Sequence, residues 1–288
     1  MPQKTLKKLL DRIERLADRV ESHFPPPLAD AGLDDAVAFR WRRHGERAWL
    51  QAVTRPHAIR LDDLRGVDRQ REVLERNTRQ FVAGRPANNA LLWGSRGTGK
   101  SSMIKALLNA YADQGLRLIE VERADLIDLP DIVDRLEGRS ERFVVFSDDL
   151  SFEAGDASYK ALKAILDGSI AAPPDNVLIY ATSNRRHLIP EYMHENLEAQ
   201  TVGTEIHHGE AVEEKISLSE RFGIWLSFYP FRQGEYLDIV RHWLEQMGAV
   251  LDEEARQAAL QWALSRGSRS GRSAYQFARD WAGRHGAD

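Results

Sequence analysis

Gly94, Gly99, Lys100 and Ser101 stand at the spacing G-x-x-x-x-G-K-[ST], with Gly97 as a third glycine in the same turn. Such a turn suits phosphate. Glycines let the backbone curl so that successive N–H groups point inward, a lysine at that place meets the β- and γ-phosphates of a nucleotide, and the serine hydroxyl suits Mg²⁺. A helix starting near Lys100 would add its positive end. Ser95, Arg96, Thr98 and Ser102 complete the expected binding segment. The competing account is a glycine-rich turn that only joins a strand to a helix.

Hydrolysis needs a carboxylate close to that phosphate, and "RFVVFSDDL" offers two. Asp148 follows four apolar residues and a serine, a position from which it can hold Mg²⁺ through water, and Asp149 is then placed to orient or deprotonate the attacking water. A helix cap after the strand would account for only one of the two. The run "VLIYATSNRRHL" ends in Thr182, Ser183 and Asn184. An amide at that end can hydrogen-bond both the γ-phosphate and the water, although Ser-Asn is also an ordinary turn. His194, His207, His208 and Glu210 lie in a polar stretch without His-Glu-x-x-His spacing, which reads as a solvated loop rather than a metal site.

These groups need a scaffold. Short apolar runs occur at Ala90–Trp93, Leu116–Val121, Phe143–Phe146, Val177–Thr182 and Ile224–Tyr229, and between the first four lie segments with helical spacing such as "SSMIKALLNAYADQG". Strands joined by helical crossovers make a mainly parallel sheet covered on both faces, with ligands at the carboxyl ends of the strands. Beyond Gly234 only helical patterns remain. At the other end Leu6, Leu9, Leu10, Ile13, Leu16, Ala17 and Val20 form one helical stripe that Pro25, Pro26 and Pro27 stop. Residues 28–60 are less legible. Their "AFRWRRHGERAWL" reads as the cover of a domain junction, with a nucleic-acid surface as the less favoured account.

The composition is that of a soluble globular chain, 42% hydrophobic and 29% charged, so disorder is not the expectation. No apolar run is long enough to span a bilayer, and the N-terminus lacks the uninterrupted apolar core of a signal peptide, so a cytoplasmic protein is expected. The absence of cysteine removes thiolate metal sites and cysteine nucleophiles. A net charge of -4 supplies no global basic field, so nucleic acid would have to bind a local patch.

The order of glycine-rich loop, Asp-Asp strand, Asn-ended strand, "SERFG" and terminal helical segment resembles the AAA+ ATPases over roughly residues 61 to 285. The stretch "ISLSERFGIWLSFYPFRQGEYLDIVRHWL" is similar to the segment where bacterial branch-migration motors carry their arginine finger. "FSDDLSFE", "EIHHGEAVEEKISLSERFGIWLSFYPF" and "AFRW" resemble a group of bacterial AAA+ proteins known only as a domain of unknown function. The resemblance implies an α/β fold: a P-loop NTPase parallel sheet with helices on both faces (61–233), a small C-terminal α-helical lid (234–288) and an N-terminal helical extension (1–60). It implies ATP and Mg²⁺ as ligands, Lys100 and Ser101 as Walker A, Asp148 and Asp149 as Walker B, and Asn184 as sensor 1. Arg221 falls at the finger, Arg272 at sensor 2, and Gly66 and Val67 at the stretch beside the adenine. Arg221 could instead be a surface ion-pair partner, and Arg272 an ordinary lid arginine.

A finger acting in trans implies a homo-oligomer, as a ring or an open assembly. AAA+ proteins usually have glutamate where this chain has Asp149. The shorter side chain implies slow hydrolysis unless Glu153 assists. The expected function is ATP-driven remodelling or loading of an unidentified macromolecular partner. The alternatives are an ATP-gated switch or scaffold, and a DNA-processing motor or loader suggested by Arg266, Arg269, Arg272, Arg279 and Arg284. Residues 191–216, ahead of Arg221, are a candidate partner-contacting stretch.

Overall fold

The computed structural model describes residues 32–45, 47–152, 156–167, 174–184, 201–202, 205–206 and 220–285. The amphipathic N-terminal segment therefore lies outside the described residues. The described chain begins with a hairpin of Ala38–His44 (β1) and Arg47–Ala52 (β2), followed by helix Asp68–Val82 (α1). Then come Ala90–Gly94 (β3), Lys100–Tyr111 (α2), Leu116–Glu120 (β4), Leu129–Leu136 (α3), Arg142–Ser147 (β5), Ala157–Asp167 (α4) and Val177–Ser183 (β6). A two-stranded ribbon pairs Thr201–Val202 (β7) with Glu205–Ile206 (β8), and Ile224–Phe228 (β9) leads to three helices, Gln233–Gln246 (α5), Glu253–Ser265 (α6) and Gly271–His285 (α7).

The main sheet runs β2-β1-β4-β5-β6-β3-β9, parallel throughout except for β1 against β2. All five apolar runs are strands of it. Alternation along the strands divides the core between two faces: Val144, Phe146, Leu178, Tyr180 and Leu92 pack towards α1 and α2, whereas Phe143, Val145, Ile179, Ala181 and Leu91 pack towards α3 and α4. This is the doubly covered α/β arrangement read from the pattern. Among the described residues no helix is long and apolar enough to cross a membrane.

The sheet starts earlier than the boundary at residue 60. Residues 38–52, read from sequence as part of an N-terminal extension, carry the two strands at one end of the core sheet, with Ala38, Phe39 and Arg40 paired to Leu118, Ile119 and Glu120. The tryptophan-arginine stretch is intramolecular packing. Trp41 is buried, its indole N–H donates to Asp128 at 3.0 Å, and Arg135 lies over its ring. Arg40, Arg42 and Arg43 pair with Glu120, Glu122 and Asp128. Alternating arginines hid the strand, because their cationic ends mask an ordinary period of two.

A buried polar clasp holds α1 to the strands that carry the loop at 94–100. The Asn77 amide donates to the Asn88 carbonyl at 2.8 Å and to the Tyr180 hydroxyl at 2.9 Å, and accepts from Asn88 N–H at 3.0 Å. Asn89 extends the clasp: its side chain accepts from Ile179 N–H and its carbonyl from Ile224 N–H, which joins β6 and β9 to the start of β3. Burial pushes the Tyr180 phenol up to about 12, so it stays neutral and able to donate. Asn77→Ala should therefore cost about 1–3 kcal/mol through unpaired buried groups, seen as a lower urea midpoint at unchanged slope.

Candidate functional site

The loop from Gly94 to Gly99 is shaped by contacts that exclude side chains. Gly94 ends β3 with φ +127, and a Cβ there would lie 2.0 Å from the Phe228 carbonyl oxygen. The next N–H, of Ser95, donates to that same carbonyl at 3.0 Å, so the loop leaves the sheet pinned to β9. Gly97, at φ +73, would bring a Cβ within 2.9 Å of the Ser270 side chain, and its carbonyl accepts from Gly271 N–H at 2.8 Å at the start of α7. Thr98 braces the loop from within, its hydroxyl donating to the Ser95 carbonyl at 2.8 Å. From Gly99 the chain turns into α2, whose first turn directs N–H groups into the loop.

Lys100 is buried beneath the loop. Its ammonium donates to the Gly94 and Ser95 carbonyls at 2.8 Å each and to Asn184 Oδ1 at 3.1 Å. Burial lowers its pKa, Asp148 and Asp149 oppose that shift, and the charges of Arg96 and Arg272 add to it.

Asp148 and Asp149 follow β5 at its carboxyl end. Asp148 Oδ1 accepts from the Ser101 hydroxyl at 2.6 Å and from the Thr182 hydroxyl. Thr182 Oγ1 also accepts from Asp149 N–H at 2.9 Å, and its carbonyl accepts from Leu150 N–H at 2.7 Å. Ser183 closes the same seam by donating to the Leu150 carbonyl at 2.7 Å. Asp149 has φ +53, the single non-glycine positive value among the described residues, a conformation that aspartate tolerates better than most. The turn brings its carboxylate to Asn184 Nδ2 at 2.5 Å. Asn184 thus bridges Lys100, which only donates, and Asp149, which accepts, and this fixes which way its amide points.

The ends of β3, β5 and β6 therefore bring Lys100, Ser101, Asp148, Asp149 and Asn184 together. A hydroxyl and a carboxylate converging at 2.6 Å are the oxygen donors that Mg²⁺ takes when the remaining positions are filled by water and phosphate. Arg272, the exposed second residue of α7, faces the loop, and its backbone N–H approaches the Gly97 carbonyl at 3.4 Å. Gly66 lies against Phe231 and Val67 is buried at the start of α1, near the junction of sheet and terminal helices.

Arg221 is not part of this cluster. It precedes β9, whose first residue pairs with the first residue of β3, so it sits at the amino end of the sheet, a strand length of about 16 Å from the loop. Its Nε donates to Asp167 at the end of α4. Glu153, His194, His207, His208 and Glu210 lie outside the described residues.

Two features escaped the sequence reading. Thr182 was visible as a polar residue ending an apolar run, yet its double contact with the aspartate pair needs β5 and β6 to be neighbours. The second feature is a junction between α5 and the turn before α1: His242 Nε2 lies 3.0 Å from Asp63 Oδ1, and Arg65 lies 3.5 Å from His242 Nδ1. About 180 residues of sequence separation hide that contact, and no local signal announces it.

A family model described as "Protein of unknown function (DUF815)" matches residues 34–285. No curated protein matches the chain. Among solved structures, the RuvB Holliday junction branch migration motor of Thermotoga maritima is similar at 19% identity and a TM-score of 0.50, over 80% of this chain and 67% of that one. The replication initiator DnaA bound to AMPPCP and single-stranded DNA is similar at 14% identity and 0.52, over 79% and 65%. Aeropyrum pernix ORC1 in complex with DNA is similar at 18% identity and 0.52, over 78% and 62%. The chain thus spans about two thirds of the length of these structures. The likeness establishes the AAA+ fold.

The contact at Gly94 yields a paired expectation. Gly94→Ala forces β3 and β9 apart and should cost about 3 kcal/mol or more. Gly115→Ala, at φ +94 but with nothing within 4 Å of the new Cβ, should cost about 1–2 kcal/mol. Thermal and urea unfolding of the two variants checks the difference.

Proposed function

This chain belongs to the DUF815 family and has the AAA+ fold, and on that basis we propose that it is an ATPase that binds and hydrolyses ATP with Mg²⁺ to remodel or load a macromolecular partner. The observation that carries the reading is the convergence of a loop lysine, a hydroxyl-carboxylate pair and an amide-carboxylate pair at the carboxyl ends of three adjacent parallel strands. Ligands of open α/β sheets bind at that end.

The roles follow from the donors. Backbone N–H groups of Gly97 to Ser102 and the Lys100 ammonium bind the phosphates. Ser101 and Asp148 would hold Mg²⁺, whose charge offsets that on the β- and γ-phosphates. Asp149 orients the attacking water, and Asn184, which touches both Lys100 and Asp149, couples the state of the phosphate to the carboxylate. Gly66 and Val67 would line the adenine, with the lid at 234–288 moving on the core about Phe231 and the N-terminal segment as an appended module. Arg272 reaches the phosphate from that lid. Arg221, too far from its own loop, acts on the nucleotide of a neighbouring copy, so the working form is an oligomer in the cytoplasm.

A DNA-directed version of this activity draws support from two of the similar structures, which are described as DNA complexes, and from lid arginines. Of these, Arg266 lies over the Trp262 ring and Arg279 over Tyr275, whereas Arg284 is paired with Asp280. A nucleotide-gated switch would share the site but use occupancy as its output.

ATPase rate per subunit, measured against protein concentration with and without single- and double-stranded DNA, tests the proposal. Turnover should be slow for this class, below about 1 s⁻¹, because Asp149 is short. It should rise with concentration. Lys100→Ala and Asp149→Asn should lose about 10²–10³-fold in rate, and Arg221→Ala should lose activity while still binding ATP. Thr182→Val, which keeps the shape but removes both hydroxyl contacts, should raise the Mg²⁺ concentration needed for half-maximal rate about tenfold. A flat concentration dependence with a silent Arg221→Ala would leave a monomeric nucleotide switch instead.

A further inference from the structure

Arg96 occupies the turn of the phosphate loop between Ser95 and Gly97, and in the reading above its side chain has no task. Its side chain does not pack for stability: it is 79% exposed. The guanidinium nonetheless points back over the loop, with Nη2 3.8 Å from Asp149 Oδ2. The other carboxylate oxygen, Oδ1, accepts from Asn184. So exposed an ion pair adds little to folding, and the fold does not account for the arrangement.

The loop leaves few directions for a side chain at this position. Ser95 N–H is pinned to the Phe228 carbonyl, and the Gly97 carbonyl is held by Gly271 N–H. On the lid side, Arg96 and Gly97 line a cavity of about 210 Å³ with Arg266 and Arg272. On the strand side stands Asp149. Lys100 holds the loop carbonyls from beneath, while Arg96 and Arg272 line the cavity at its rim.

We infer that Arg96 is a catalytic arginine supplied within the chain to the γ-phosphate of bound ATP. The inference rests on the ATPase reading. If Asp149 touches the attacking water, a guanidinium 3.8 Å from that carboxylate stands beside the group being transferred. In the step, the water oxygen bonds to the γ-phosphorus and the bond from phosphorus to the β–γ bridging oxygen breaks, leaving its electron pair on ADP. The water proton passes to Asp149 and then to the released phosphate. Charge accumulates on the γ-phosphoryl oxygens, and a fork of N–H donors fits them bidentately. Arg96 exchanges its weak contact with Asp149 for the phosphoryl oxygens, which also frees the carboxylate for the water. Arg221 depends on a neighbouring copy, whereas Arg96 serves its own site, giving the isolated subunit a basal rate.

The test uses the full chain with MgATP, comparing wild type, Arg96→Ala, Arg96→Lys and Arg221→Ala from dilute to concentrated protein, with ADP and ADP–aluminium fluoride affinities alongside. The inference expects Arg96→Ala to lower kcat about 10²-fold or more, by the same factor at every protein concentration. ADP affinity should stay within about threefold and ADP–aluminium fluoride affinity should fall with kcat. Arg96→Lys should recover part of the rate. Arg221→Ala should lose most of its rate at high protein concentration, so that its deficit, unlike that of Arg96→Ala, varies with concentration. Wild-type kcat in Arg96→Ala, or a loss that disappears at high concentration, would overturn the inference and leave the ATPase reading standing. A wild-type chain that neither binds nor hydrolyses ATP would overturn the ATPase reading and the inference with it.

Discussion

Among the described glycines the tightest packing is at Gly94, where an added methyl group would come within 2.0 Å of the Phe228 carbonyl oxygen. The same carbonyl then accepts the Ser95 N–H, so one atom of β9 sets both where β3 ends and the direction in which the loop departs. Lys100 inherits its position from that departure, since its ammonium reaches back to the Gly94 and Ser95 carbonyls. Packed backbone yields little to strain, so the loop is preformed by the sheet rather than shaped by what it binds.

A second seam, between β5 and β6, places the opposing charges. Thr182 gives its hydroxyl hydrogen to Asp148 and takes the Asp149 N–H on the same oxygen, while its carbonyl holds Leu150. The aspartate pair is thereby held through backbone and a short side chain with little freedom. The left-handed turn at Asp149 departs from the strand and sends its carboxylate to Asn184 and Arg96 rather than to Ser101 and Thr182. Two adjacent carboxylates thus differ in partners: Asp148 meets hydroxyls, Asp149 an amide and a guanidinium.

The terminal helices reach this centre through backbone as well as charge. Gly271 N–H on the Gly97 carbonyl joins α7 to the loop tip, and the His242–Asp63 contact joins α5 to the turn before α1. Both contacts span the junction between the sheet and the terminal helices, so a change in the loop would be felt at the seat of those helices.

The residue types that could do chemistry were legible because their spacing is local. The glycine-rich loop, Asp148 with Asp149, and Asn184 each sit within a few residues of a short apolar run, and the runs themselves marked the strands. The strands β1 and β2 were not legible, because Arg40, Arg42 and Arg43 concealed a period of two and their partners Glu120, Glu122 and Asp128 lie about 80 residues away. Nor could spacing foresee that Thr182 would hold the aspartates, that Asn77 would clasp β3 to β6, or that Arg96 would face Asp149. Sequence by itself determined which groups are available and on which elements they ride, since periodicity and turn chemistry act over a few residues. Tertiary structure alone decided which of them meet, because strand order and register bring together residues whose separation along the chain carries no signal.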